Sequence, residues 1–307
     1  MSEFAIITQY FSALGAGDNV VLSVGDDAAA LRVDKGCELI VSTDTTIAGV
    51  HFPDDLFPED IAYKAVAAAA SDLAAMGASP LGMTLAISLP EHDPLWLHGF
   101  SQGLAAVSSD YKLPLIGGDT TRGLVSITVT VMGQCPTGQK LLRSGACVND
   151  LLCVSGTLGD SALGLSLMQG KERGLDIEFD HQQYLLSRFS RPPSRGHLGE
   201  RLREQATSCI DISDGLLADA AHISRASGCK LVIDSHQVPL SEALVLAVGR
   251  ERAVDLALTG GEDFELLFTL PASAEVPADC KVIGTAEPGE GVICDRLMRG
   301  EGYDHFR

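Results

Sequence analysis

Apolar positions first recur at helical spacing at Phe4, Ile7, Tyr10 and Phe11, which predicts a helix from a Ser2 cap to about Leu14. Leu39 to Ser42 reads as a buried strand that delivers Thr43 and Asp44 at its end. Pro58-Glu59-Asp60 has the composition of a helix first turn, and the alanine-rich run behind it predicts a helix to Met76, stopped at Gly77. Leu81 to Leu89 predicts a strand and Pro94 to Tyr111 a helix. Leu113 to Ile116 predicts a strand that ends in a Gly-Gly-Asp turn. From Leu124 to Met132, Val125, Ile127, Val129 and Val131 alternate as in a strand with one buried face.

The composition breaks at Gln134-Cys135-Pro136-Thr137-Gly138, which divides the chain into residues 1–135 and 136–307. Beyond the break, strands are predicted at Leu151–Val154, Cys209–Ile212, Leu231–Ile233, Phe264–Thr269 and Lys281–Ile283. Helices are predicted after the Gly159-Asp160-Ser161-Ala162 turn, from Arg191-Pro192-Pro193, over Asp214–Ala226 and over Ser241–Val248. Strands and helices mix in both halves, so the fold class is α/β or α+β. A length of 307 residues suits two domains.

Charge changes the picture. The net charge of −19 argues against nucleic-acid or anionic-membrane partners. The eight cysteines form no C-x-x-C pair and read as reduced core residues. The N-terminus lacks the basic start of a signal peptide, and the weakly polar run from Ala65 to Leu89 is broken by Asp72, Gly77 and Pro80. A cytoplasmic protein is the expectation.

The acids are not spread evenly. They gather in small-residue settings: Gly25-Asp26-Asp27, Ser42-Thr43-Asp44, Ser71-Asp72, Gly117-Gly118-Asp119, Asp211-Ile212-Ser213-Asp214-Gly215 and Gly260-Gly261-Glu262-Asp263. Any one of them could be turn or cap chemistry. Together they are hard oxygen donors whose mutual repulsion calls for divalent cations, and cations held in this way can hold a polyphosphate. The acid of Asp72 stands out, because it falls late in an otherwise apolar helix, toward the negative end of the dipole. No P-loop, kinase-type glycine loop or H-E-x-x-H is present, so phosphates would bind by another route. Arg122 and Arg143 follow glycine-rich or turn-like segments and could fork onto phosphate oxygens, although for Arg122, with so many acids near it, a structural ion pair is the better explanation. His51 follows the Asp44 strand and Tyr303 lies in the tail; each could contact a ligand or simply pack. Gly260-Gly261-Glu262-Asp263-Phe264 differs in acid order from the cyclic-dinucleotide cyclase signature, and that reading is rejected.

The ordered series G-D-D-A-A-x-L, S-T-D-T-x-x-x-G-x-H-F, S-D-L-A-A-M-G-A, G-G-D-T-T-R-G, R-S-G-A, D-I-S-D-G-L and G-G-E-D-F-E-L, with the tail G-Y-D-H-F, resembles the bacterial thiamine-monophosphate kinase family. The match runs from Gly25 to Phe306. It implies the two-domain α/β (α+β) fold of the aminoimidazole-ribonucleotide-synthetase-like superfamily, with an N-terminal ATP- and metal-binding domain whose sheet is shared across a homodimer. It implies ATP-dependent phosphorylation of thiamine monophosphate with several Mg²⁺ ions. By position, Asp27, Ser42, Thr43, Asp44, Asp72, Asp119, Asp211 and Asp214 match metal residues. Tyr111, Gly118, Asp119, Arg143 and Ser213 match nucleotide residues, and His51, Glu262 and Tyr303 match substrate residues. No general base is implied, since a phosphate monoester acceptor is already largely ionised at neutral pH. Two alternatives are a superfamily relative acting on another acceptor and a non-catalytic Ca²⁺-binding protein. A selenide-activating relative is expected to carry a reactive cysteine near its N-terminus, and the first cysteine here is Cys37.

Overall fold

The structure is a computed structural model that describes residues 3–296. The chain divides into two compact units, Met1–Lys140 and Leu141–Arg307.

The first unit opens with a short helix, α1 (Glu3–Ile6), that runs into one π-type turn over Ile7–Phe11 and a 3₁₀ turn over Ser12–Leu14. Two short strands follow, β1 (Val20–Leu22) and β2 (Ala30–Leu31), paired antiparallel. The unit is then built from β3 (Cys37–Ile47), α2 (Pro58–Ala75), β4 (Ser79–Leu89), α3 (Pro94–Tyr111), β5 (Leu115–Arg122) and β6 (Ser126–Pro136). Proline in the first turn starts both long helices, and the Asp93 carboxylate accepts from Leu95 N and Trp96 N to cap α3. The sheet order is β3-β6-β4-β5; only β4 and β5 run parallel.

Helix α2 lies on this sheet and α3 packs on α2, so α2 is buried on nearly every side. Its alanines, Ala65, Ala67–Ala70, Ala74 and Ala75, keep both neighbours close. Side chains alternate across a strand, and the ladder therefore sorts the site residues. Ser42 and Asp44 share the face of Val129 and Leu85, which are buried toward α2. Thr43, Thr45 and Asp119 belong to the other face, in line with the exposed Ala86. On that face Thr43 and Thr45 pair through their hydroxyls with Thr130 and Thr128, at 2.9 Å each, and Leu39, Val41 and Ile47 are exposed.

Two expectations for this unit change. Asp44 lies within β3, not at its end, because β3 runs on to Ile47 along β6. Gly117-Gly118-Asp119 is not a turn but the middle of β5. The glycine signal has a different cause: a Cβ on Gly118 would sit 1.9 Å from Leu85 O, so only glycine lets β5 lie against β4 there.

The second unit comprises β7 (Leu151–Ser155), α4 (Asp160–Met168), α5 (Phe179–Ser190), α6 (Gly196–Leu202), β8 (Ser208–Asp211), α7 (Leu216–Ser227), β9 (Lys230–Ile233), α8 (Glu242–Thr259), β10 (Leu266–Leu270), β11 (Cys280–Glu287) and β12 (Val292–Cys294). Its sheet order is β12-β9-β11-β7-β10-β8, antiparallel except at β12-β9. Leu152, Val154, Ile210, Leu231 and Leu267 from the strands meet Leu216, Ala220 and Ile223 of α7 and Ala257 and Leu258 of α8 in one core. Arg191-Pro192-Pro193 begins no helix: Arg191 is the C-cap of α5, and α6 starts at Gly196. The helix expected over Ser241–Val248 is capped by Ser241, whose hydroxyl accepts from Leu244 N; Gly249, at φ 78°, breaks it, and a second helical stretch continues to Thr259. All eight cysteines are unpaired; Cys147 is exposed, which departs from a core role. Among the described residues, no helix is long and apolar enough to cross a membrane.

Candidate active site

In the first unit a cleft of about 720 Å³ opens beside β5, between the Ile7–Ser12 turn and the Val24–Ala29 loop. Asp26, Asp27, Gly118 and Asp119 line it, with Ile7, Phe11 and Ile116 as an apolar wall. A flat apolar wall beside carboxylates and a glycine backbone suits a nucleotide whose phosphates approach through cations. Asp26 Oδ1 accepts from Asp27 N at 2.8 Å, which fixes the loop that presents Asp27.

On the face toward α2, Ser42 Oγ donates to Asp72 Oδ2 at 2.5 Å, and Asp44 Oδ1 accepts from Thr45 N at 2.7 Å. Asp72 thus finds a donor on β3 that offsets its place at the negative end of α2. Thr43 and Asp119 sit on the opposite face. His51 follows β3, and its Nδ1 accepts from Ile47 N at 3.1 Å, which orients the ring. Tyr111 ends α3, buried edge-on against Tyr63 with ring centroids 6.1 Å apart. Arg122 is exposed and donates from Nε to Pro90 O at 3.1 Å.

In the second unit Asp211 ends β8 and leads into the Ile212-Ser213-Asp214-Gly215 turn at the start of α7. Asp219, in the first turn of α7, accepts from Ser213 N at 3.0 Å and from Asp214 N at 3.1 Å. Burial, with Asp211 and Asp214 close by, pushes its carboxyl up to about 7. Arg143 is exposed; its carbonyl accepts from Ser227 Oγ at 3.2 Å. Its charge is felt at His222 of α7, whose pKa is lowered by burial first, then by Arg143 and Arg225, against the pull of Asp214. Glu262 is half-buried, and its N–H donates to Ser213 O at 2.8 Å, tying the glycine-rich loop to the Ser213 turn. Tyr303 lies outside the described residues.

Each unit therefore gathers its own share of the expected residues. Among the described residues no three His, Cys, Asp or Glu side chains converge on one metal position. The donor chemistry still fits Mg²⁺, which is held by one or two carboxylates, with waters and substrate phosphates completing its shell. Asp219 and His222 escaped the motif reading, and Asp263 was seen only as one acid of the Gly260–Asp263 cluster, with no role of its own. For Asp219 a signal existed, an acid in the first turn of a helix just after the Asp-Gly step.

The AIR synthase related protein N-terminal domain matches residues 25–135, and the C-terminal domain of the same family matches residues 148–295. The chain is 42% identical to the thiamine-monophosphate kinase of Escherichia coli K12, over 99% of this chain and 98% of that protein. The chain belongs to the thiamine-monophosphate kinase family. Solved structures agree. The thiamine-monophosphate kinase of Stenotrophomonas maltophilia K279a shares 40% identity at a TM-score of 0.85, covering 95% of this chain and 94% of that one. AaThiL complexed with AMPPCP and TMP shares 33% identity at a TM-score of 0.82, covering 90% and 89%. The two-domain mixed α/β architecture is that of this family.

Proposed function

We propose that this protein transfers the γ-phosphoryl group of ATP to thiamine monophosphate, giving thiamine diphosphate and ADP. The observation that carries the reading is the likeness, over 90% of the chain, to a relative solved with AMPPCP and TMP together. The cleft beside β5 takes the nucleotide through Gly118 and Asp119; Tyr111, Arg143 and Ser213 are nucleotide residues by their match to the family's motifs. Asp27, Ser42, Thr43, Asp44, Asp72, Asp119, Asp211 and Asp214 hold the Mg²⁺ ions. When bound, these ions screen the repulsion between the two phosphate chains and stabilise the charge of transfer. His51, Glu262 and Tyr303 take the acceptor, and the carboxylate of Glu262 answers the positive charge of the thiazolium ring.

The acceptor oxygen belongs to a monoester whose second pKa is about 6, so it attacks without a general base. What remains for the protein is to hold two anions in line, and transfer is direct, with no phosphoenzyme. The exposed Leu39, Val41 and Ile47 on the face of β3 away from α2 suit a second copy of the chain, and a homodimer is part of this reading. A cytoplasmic protein without a nucleic-acid partner fits the net charge of −19.

ADP release in a coupled assay tests the proposal. It is expected only when thiamine monophosphate and Mg²⁺ are both present, and to stop with EDTA or with Asp44→Asn. ADP release that ignores thiamine monophosphate would transfer the activity to another acceptor. A burst of ³²P-labelled protein during turnover would refute direct transfer.

A further inference from the structure

Glu262 and Phe264 are non-glycine residues in the left-handed region, at φ 65° and φ 51°. Two such residues in the six-residue loop 260–265 persist only where the surroundings hold them there. The surroundings do so from both sides of the loop. Glu262 N donates to Ser213 O at 2.8 Å, and Phe264 N donates to Ile212 O at 2.9 Å. A Cβ on Gly261 would lie 2.4 Å from Ser213 O, so the two loops are in direct backbone contact. Asp263 is fully buried; its Oδ2 accepts from Gly159 N at 2.7 Å and its Oδ1 from Ser161 N at 3.2 Å, at the start of α4. Glu265, also fully buried, is held by Arg188 at 3.0 Å, by both donors of Arg195 at 2.5 and 2.6 Å, and by Ser155 Oγ.

We infer that Asp263 is a positioning residue: by anchoring the loop to α4 from the buried side, it holds Glu262 in its left-handed conformation and sets that carboxylate for the acceptor. The segment changes from half-buried at Gly260–Glu262 to buried at Asp263–Glu265, so the anchors directly follow Glu262. Asp263 and Glu265 are fully buried, and Glu262, directly before Asp263, is half-buried. The backbone ties run to Ile212 and Ser213, so the same loop fixes acceptor contact and nucleotide turn relative to each other. A helix cap made only for stability would not need the strained neighbours. A carboxylate is chosen over a hydroxyl because two N–H groups must be met from one side chain.

This inference rests on Glu262 meeting the acceptor, so the experiment separates the two claims. In the full-length protein, KM for thiamine monophosphate and KM for ATP are measured for Asp263→Asn and for Glu262→Gln, with deuterium exchange followed over residues 260–265. Asp263→Asn is expected to raise the acceptor KM about tenfold and leave the ATP KM within about twofold, as a displaced contact does. Deuterium uptake over 260–265 is expected to rise while β10 stays protected. Glu262→Gln is expected to raise the acceptor KM without changing exchange. If Glu262→Gln raises the acceptor KM and Asp263→Asn does not, the positioning role is overturned. Unchanged exchange in Asp263→Asn overturns it as well. If Glu262→Gln leaves the acceptor KM unchanged, the substrate role of Glu262 fails, and the inference fails with it. Should Asp263→Asn not fold, Asp263→Ser keeps one acceptor in a smaller side chain and is read in the same way.

Discussion

Asp263 also makes a prediction about pH. It is fully buried, and burial drives its carboxyl from 3.8 up to about 7; the Arg188 guanidinium and the two backbone N–H groups pull it down, and Asp160 pushes it up. The folded state therefore holds this proton where the unfolded chain has released it. The stability that follows is fully present below pH 3.8 and is lost as pH rises to about 7. The whole rise corresponds to about 4 kcal/mol at 1.36 kcal/mol per pKa unit, as a ceiling, and about 3 kcal/mol of it falls between pH 5 and pH 8. Other acids titrate over the same range, so the quantity to measure is a difference. Asparagine has no proton to lose. Urea unfolding, read by circular dichroism at pH 5 and pH 8, should show Asp263→Asn gaining on the parent protein by up to about 3 kcal/mol as pH rises. A stability difference that does not change between the two pH values would refute the assignment of this proton to Asp263.

Three further outcomes follow from particular contacts. Glu265→Gln removes the carboxylate that the buried Arg188 shares with the half-buried Arg195, leaving Arg188 the Asp160 carboxylate at 3.7 Å, and should cost about 3–5 kcal/mol in urea unfolding. Gly118→Ala forces a Cβ to 1.9 Å from Leu85 O; it should cost about 1–3 kcal/mol, and titration calorimetry should show weaker ATP binding. Ser42→Ala removes the hydroxyl that meets the Asp72 carboxylate, and a loss of about 1.5–3 kcal/mol is expected from the urea midpoint at unchanged m-value.

Long periodic elements were legible in the sequence. Pro58 and Pro94 mark the first turns of α2 and α3, and those helices end within a residue or two of the expected places. Alternation in Val125 to Val131 marked β6, although its start and end lie further along, at Ser126 and Pro136. Helix α5 was missed because its buried side is only Leu185, Arg188, Phe189 and Ser190, and a buried arginine reads as surface in a sequence. The Gly117-Gly118-Asp119 segment misled because glycine marks both turns and close strand approach, and only the Leu85 carbonyl tells them apart.

For the site, the aspartate clusters named the oxygen-donor chemistry. They did not say that Thr43 and Asp44, being adjacent in one strand, must point to opposite faces of the sheet. Asp263 stayed hidden because an acid beside Glu262 looks like one more ligand, whereas its carboxylate is turned inward to the N–H groups that open α4.

The identity of the product decides whether this protein is a thiamine-monophosphate kinase in activity. ³¹P NMR of the full-length protein with ATP, MgCl₂ and thiamine monophosphate tests it most directly. The paired signals of thiamine diphosphate are expected to grow in step with ADP. ATP consumed to ADP and inorganic phosphate, with the thiamine monophosphate signal unchanged, would contradict that activity.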